Sequence, residues 1–296
     1  MMVSPIETYT ITSITADAEI AAEYISTTPY AANVSVQVAA EKSVYKSLVD
    51  ANEGNSPSTS PLSWKRVAAT NEYNWADEIV NTQTIGQDLV KIILTADNVN
   101  TVGLMNIEGT EAQITMKDSI GAVIKDVVIS LLEQTESGDY QFWFSPRSYR
   151  KDVVAYFPAG YTDAILEITV RNTGNKARIG VAHPSYAREI GELLLDPTPR
   201  FSKRSYTKIA TDLDTGNIEV IKGAKAKTND CWFSISTPHI NMIDRFLDSM
   251  IGERVLYIID EELEPLIVLA ILENFEITYE NNRFSKLRLY PLKGLI

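Results

Sequence analysis

One cysteine and two histidines in 296 residues leave this chain with little soft-metal or redox chemistry. Cys231 has no second thiol to pair with, so no intrachain disulfide forms, which suits folding in a reducing cytosol. It lies beside Trp232 in an apolar strand and reads as a buried, inert thiol. A transition-metal cage would draw most of its ligands from carboxylates, because His183 and His239 are the only imidazoles. His183 precedes Pro184 at a strand end, and His239 falls in a first helical turn. Each reads as structural or merely exposed, since a lone histidine without partners seldom makes a site. No apolar run approaches the ~20 residues needed to span a bilayer, so no membrane insertion is expected. The first fifteen residues lack the basic end and apolar stretch of a secretory signal. Basic charge is short as well: 27 Lys and Arg against 39 Asp and Glu give a net charge of −12. An acidic surface repels phosphate backbones, so no nucleic-acid partner is expected.

Catalytic motifs are lacking too. There is no G-x-S-x-G elbow, no G-x-x-x-x-G-K-[ST] phosphate loop and no G-x-G-x-x-G fingerprint. Glycoside hydrolysis needs two convergent carboxylates about 5 to 9.5 Å apart, whereas Asp77, Asp139 and Asp163 are scattered among turns. Glu261, Glu262 and Glu264 form a solvated hairpin tip, which supplies none of the burial that separates the pKa values of an acid/base pair. Lys222, Lys225 and Lys227 offer charge to an anion or simply mark a charged loop. The expectation is a non-enzymatic protein with no metal and no cofactor.

What the sequence does contain is alternation with period two. Leu166, Ile168 and Val170 interleave with Glu167 and Thr169, which makes one sheet face apolar and the other wet. Ala112, Ile114 and Met116 alternate with Gln113, Thr115 and Lys117, and Phe275, Ile277 and Tyr279 with Glu276, Thr278 and Glu280. Further strands are expected at Leu89–Leu94, Ala122–Ile129, Tyr140–Phe144, Val153–Phe157 and Lys176–Val181. Turns at Glu136–Asp139 and Asn172–Asn175 punctuate them, a spacing that suggests a β-sandwich rather than βαβ units. One helix is well marked: Thr237 can cap it, Pro238 suits its first position, and Ile240, Ile243, Leu247 and Met250 share a face before Gly252. A weaker helix is expected from Asp17 to Ile25, with Ala18, Ala21, Ala22 and Ile25 on one side. The polar stretch Asn52–Pro61 reads as a long loop, and Asp196-Pro197-Thr198-Pro199 as a stiff junction. The fold class expected is mainly β: a small N-terminal β module with its arm (1–76), an antiparallel β-sandwich (77–196) and a C-terminal β-rich domain with one helix (197–296).

The most specific pattern lies early. Tyr30 precedes a strand around Val34–Val38. Ser43-Val44-Tyr45-Lys46-Ser47-Leu48-Val49 follows, then Asp50–Asn55 with prolines, then Ser63-Trp64-Lys65-Arg66-Val67. This resembles a small module of chitin-binding type. A module this small has little core, so Tyr45 and Trp64 supply large buried areas. In sugar-binding members an exposed aromatic face stacks on a pyranose ring. Tyr30, Tyr45 and Trp64 are therefore candidates for glycan stacking, with pure packing as the other reading.

Downstream come Ala68-Ala69-Thr70-Asn71-Glu72-Tyr73-Asn74-Trp75-Ala76-Asp77 and Thr82-Gln83-Thr84. With the small module before them and a β-sandwich after, these resemble a family of tail-associated proteins of tailed bacteriophages. The family usually reads Arg where Glu72 stands, and Met-Phe-Asp in place of Trp75-Ala76-Asp77. The segments Asn100–Asp118, Ala164–Gly191 and Arg200–Lys222 fit the family as well. The resemblance implies a virion structural protein at the hub, baseplate or neck of the tail, synthesised in the host cytoplasm. It implies tail proteins as partners, a ring-shaped homo-oligomer and contact with fibres. It supplies no catalytic residue. A carbohydrate-binding adhesin that grips a host glycan through the front module is the alternative.

The run Pro265–Leu272 is apolar on both alternating faces, so its strand must be covered twice. The helix can cover one face. The other is closed either within the domain or by a neighbouring copy, which makes Ile267, Leu269 and Ile271 candidates for an assembly interface.

Overall fold

The computed structural model describes residues 1–77, 79–133, 147–211, 218–221, 223 and 225–294. The expected strand Tyr140–Phe144, the expected turn Glu136–Asp139 and residue Lys222 lie outside the described residues. The protein is mainly β, and Ile240–Asp248 is the one α-helix among the described residues.

Alternation builds the sandwich. A five-stranded antiparallel sheet runs in the order Val123–Ser130, Glu111–Lys117, Ala164–Ile179, Thr84–Ala96, Tyr9–Thr15. A three-stranded antiparallel sheet packs on it in the order Val153–Tyr156, Thr101–Met105, Val181–Ser185. The expected apolar face of the first sheet is buried between them, with Leu166, Ile168, Val170, Ile114 and Met116 all fully enclosed. Each such side chain contributes about 1.5–3 kcal/mol through burial. Lys176–Val181, expected as one strand after a turn, is divided differently. Ala164–Ile179 is one long strand that bulges outward at Asn172–Asn175 and resumes pairing at Lys176 opposite Gln87. The Gly174 N–H donates to Asp88 Oδ1 at 2.6 Å, with Gly174 at φ +79°, a backbone state open to glycine without strain.

Thr101–Met105 and Val181–Ser185 are buried along their whole length, so the three-stranded sheet is covered twice. Its second cover is a nine-stranded sheet. The main path runs Arg188–Glu189, Met2–Pro5, Arg254–Ile258, Ile267–Ile271, Phe284–Gly294, Lys225–Ser236, Glu192–Leu193. Arg200–Ser205 also pairs with Lys225–Ser236, and Phe275–Tyr279 with Phe284–Gly294. Leu256, Ile258, Ile267 and Leu269 meet Met105 and Val181 on one side. Val255, Tyr257, Val268 and Ala270 meet Ile243, Leu247 and Met250 of the helix on the other. Helix, nine-stranded sheet, three-stranded sheet and five-stranded sheet therefore stack as four layers. Gly103 lets two of them close up, because a Cβ there would overlap Leu256 Cδ2.

The expected helical face of Ile240, Ile243, Leu247 and Met250 is the buried one. Its start differs: a 3-10 turn, Thr237–His239, leads into the helix, and Thr237 does not cap it. The Thr237 hydroxyl donates instead to the Asn281 carbonyl at 2.8 Å. No helix forms at Asp17–Ile25, where the chain bends at Ile20–Ala21 and joins a sheet only at Ala22–Glu23. Three alanines and two isoleucines imitate an amphipathic face there, but Ile20 and Ile25 point to solvent. The carboxylates of Asp17 and Glu19 accept backbone N–H groups of Gln87 and Asn71, and Glu19 also accepts those of Ile20 and Ala21 at the bend.

Candidate functional site

The small module is a four-stranded sheet, Ala22–Glu23, Ser35–Val38, Ser43–Ser47 and Trp64–Ala69, whose first pair is parallel. Tyr30, Tyr45 and Trp64 are its core, together with Val36. The Trp64 ring meets Tyr30 and Tyr24 edge-on at 5.4 and 5.8 Å, and Tyr24 stacks on Tyr30 at 5.9 Å. Their polar tips are spent internally as well. Trp64 Nε1 donates to the Asn55 carbonyl at 2.9 Å, the Tyr45 hydroxyl to Glu41 Oε2 at 2.6 Å, and the Tyr30 hydroxyl accepts from the Ile25 N–H at 2.8 Å. Glu41 lowers its own pKa chiefly through that Tyr45 bond, and the Tyr45 hydroxyl is pushed up by the same contact. The motif residues of the loop serve the same core. Buried Asn52 donates to Ser47 Oγ and the Ser63 carbonyl, and Asn55 donates to Asn52 Oδ1. Trp64 is only 2 % exposed, so none of its face is open to a sugar ring. The large apolar side chains that the module does expose are aliphatic: Ile25, Val34, Leu48, Val49, Leu62 and Val67. Aliphatic groups bury area against protein but give a pyranose no flat π face.

The second signature is a clasp between module and sandwich. Asn71–Ala76 forms a 3-10 turn. Asn71 Nδ2 donates to the carbonyls of Asp17 and Ile85 at 2.7 and 2.8 Å, and its Oδ1 accepts from the Ile85 N–H at 2.9 Å. Trp75 enters the sandwich core, fully buried, with Tyr9 at 5.7 Å. Asp77 accepts from the Ile79 N–H and the Thr82 hydroxyl. Burial raises its pKa, against the lowering effect of those bonds. It is therefore a loop brace, and Asp163, an exposed residue ahead of Ala164, is held by Asp97 instead. Asp139 lies outside the described residues.

The strand Ile267–Ile271 gets its second cover from its own chain. Ile267 and Leu269 are buried against Met105 and Val181, and Ile271 is half-buried. Of the two covers left open by the sequence, the one from within the chain is present for Ile267 and Leu269, because the three-stranded sheet lies against them.

Of the remaining candidates, His183 is buried with Nε2 3.0 Å from the Ser4 carbonyl, and His239 is exposed. Cys231 is buried, and burial pushes its thiol up to about 11. Glu261 and Glu262 are exposed at a hairpin tip, while Glu264 accepts from the Lys151 N–H at 3.0 Å. Among the described residues no cluster of three His, Cys, Asp or Glu is placed to hold a metal ion.

Lys225 and Lys227 line a cleft of about 360 Å³ where the sandwich meets the nine-stranded sheet. Lys227 is committed: its Nζ pairs with buried Asp152 and donates to the carbonyls of Glu264 and Ile267. Asp152 in turn accepts from the Asn106 N–H at 2.7 Å. This pair stitches the two layers together. Asp152 and Lys203, which also lines the cleft, give no signal in the sequence, because strand pairing brings Lys203 beside Lys227 and the packing of two layers brings Asp152 there.

No family model, no curated protein and no solved structure matches this chain.

Proposed function

We propose that this protein is a non-enzymatic structural component of a bacteriophage tail, at the hub, baseplate or neck, working through protein–protein contacts. The proposal starts from the family resemblance of the small module, the Asn71–Asp77 signature and the β-sandwich. The observation that carries it further is how the aromatic side chains are used. Tyr30, Tyr45 and Trp64 are consumed in the module's core, while Leu48, Val49 and Leu62 are left exposed. Side chains of that kind gain by burial against another protein surface. Partners on this reading are other tail proteins, further copies in a ring, and fibres. Copy-to-copy contacts then form away from Ile267 and Leu269, which are interior. The host-glycan alternative draws no support from rings that are packed inside.

The test is immunogold electron microscopy on purified particles of the encoding phage, with mass spectrometry of the same preparation. Label concentrated on the tail is the expected result. Absence of the chain from particles that retain their other tail proteins would overturn the reading.

A further inference from the structure

Charge is sorted along this chain. Residues 200–227 hold seven Lys and Arg against three Asp and Glu, a net of +4, which leaves −16 on the remainder of a chain of net −12. Residues 255–282, a stretch of equal length, hold seven Asp and Glu and no Lys or Arg. The basic stretch forms an arm with little cover. Among the described residues Arg200–Ser205 pairs only with Lys225–Ser236, so its other edge is open, and all six of its side chains are exposed. Lys208–Thr211 pairs only with Ile218–Ile221. A two-stranded hairpin with no further strand or helix against it is marginal in water. Phe201, Tyr206 and Val220 add large exposed apolar groups. Lys227 is neutralised by Asp152, but Arg200, Lys203, Arg204, Lys208 and Lys225 have no carboxylate of a described residue within 4.0 Å.

The acidic stretch is mostly answered within the chain. Glu273 pairs with Lys293 and Glu280 with Lys286, while Glu276 accepts from the Tyr290 hydroxyl and Glu264 from the Lys151 N–H. What remains is the hairpin tip, where Glu261 and Glu262 are exposed beside Leu263, itself 49 % exposed. Glu261 takes the Tyr156 hydroxyl, a neutral donor that leaves its charge standing. No ion pair joins arm and tip within one chain among the described residues.

We infer that the arm of one copy lies on the acidic tip of a second copy, with Lys203, Arg204 and Lys208 on Glu261 and Glu262. Leu263 then meets the apolar groups of the arm. A second copy is the occupant because it carries the complementary charge and the exposed leucine that the arm does not meet in its own chain. The contact joins unlike patches, the arrangement that closes rings. Charges on an edge strand also guard against indiscriminate strand pairing, but a guard alone predicts a monomer. The inference deepens the contact-making role proposed above and rests on it only for where the assembly sits.

The experiment uses the full chain in sedimentation velocity at low and high ionic strength. Self-association is expected at low salt, weakened roughly tenfold or more at high salt as exposed charges are screened. Lys203→Glu with Arg204→Glu and Lys208→Glu reverses the arm, and Glu261→Lys with Glu262→Lys reverses the tip. Each variant alone should stay monomeric where the parent associates. When the two are mixed, the reversed arm meets the reversed tip, and a complex of both chains is expected. Misfolded chains would not give that recovery. Lys65→Glu with Lys176→Glu, exposed residues of the small module and the sandwich bulge, should leave association unchanged. The inference is overturned if the parent is monomeric throughout, if either reversed variant associates as the parent does, if the mixture stays monomeric, or if the Lys65, Lys176 variant loses association equally. Self-association of a chain absent from virions would keep the contact and remove only the tail assignment. A monomeric chain found on tails would do the reverse.

Discussion

Trp64 joins two rings at its edges and one carbonyl at its Nε1, in a module whose core is four buried side chains. A core that small has no reserve. Trp64→Ala should cost about 3–5 kcal/mol through lost burial and a cavity, and should unfold the module. Limited proteolysis is the check: cleavage is expected within residues 22–69 while the sandwich remains resistant. Resistance equal to the parent would place the indole outside the core. Glu167 makes a different prediction. Its pKa is lowered first by the Lys117 hydrogen bond at 2.5 Å and then by Lys91 at 3.2 Å. A lowered folded pKa means that the charged carboxylate is favoured in the native state. The stabilisation is thus present above the ordinary value of 4.5 and lost as pH falls through the folded value. Glu167→Gln should lower stability at pH 7, and urea midpoints of parent and variant should converge as pH falls through the folded value. A gap that stays constant from pH 7 to pH 3 would show that the ion pairs contribute nothing.

Strands in this protein are distinguished by how many of their faces are covered. Glu111–Lys117 alternates half-buried and buried, whereas Thr101–Met105 is buried at every position. Gly103 sits in the second kind, facing Leu256 across the sheet-to-sheet contact. Gly103→Ala should destabilise by about 1–3 kcal/mol through overpacking. Leu256→Ala alone should cost about 2–5 kcal/mol. Because the added methyl fills part of the space that Leu256 vacates, the double variant should be more stable than the sum of the two costs implies, by at least 0.5 kcal/mol on the scale of neighbouring-site coupling. Additivity in denaturant unfolding would mean that the two elements do not touch as described.

At the scale of the whole molecule, the N-terminal strands tie the parts together. Met2–Pro5 pairs with Arg254–Ile258 of the nine-stranded sheet, and Tyr9–Thr15 with Thr84–Ala96 of the sandwich. The Asp152–Lys227 pair and the shared core around Leu256, Ile267, Met105 and Val181 join the same two bodies. The small module has a core of its own. Calorimetry should therefore show two transitions: one for the module, and one in which the sandwich and the nine-stranded sheet unfold together. In Trp64→Ala the module's transition should vanish and the larger one persist. A third transition separating the sandwich from the nine-stranded sheet would contradict the joined core.

The sequence by itself determined the β class, the apolar face of Leu166, Ile168 and Val170, and the helical face of Ile243, Leu247 and Met250. Each of these follows from periodicity that a dozen residues carry alone. It also marked Tyr45, Trp64, Asn71 and Trp75, although the signal did not say whether their rings and amide faced a ligand or a core. Tertiary structure decided that, since burial is a property of neighbours and not of spacing. It also decided what covers Ile267 and Leu269: strands more than eighty residues away in the chain, brought in by a third layer. The bulge at Asn172–Asn175 escaped for a related reason, because a turn and a bulge share residue types and differ only in where pairing resumes. The lysine cleft shows the limit most plainly. Lys203 and Lys227 lie twenty-four positions apart in the chain, and only the register of two paired strands sets them face to face.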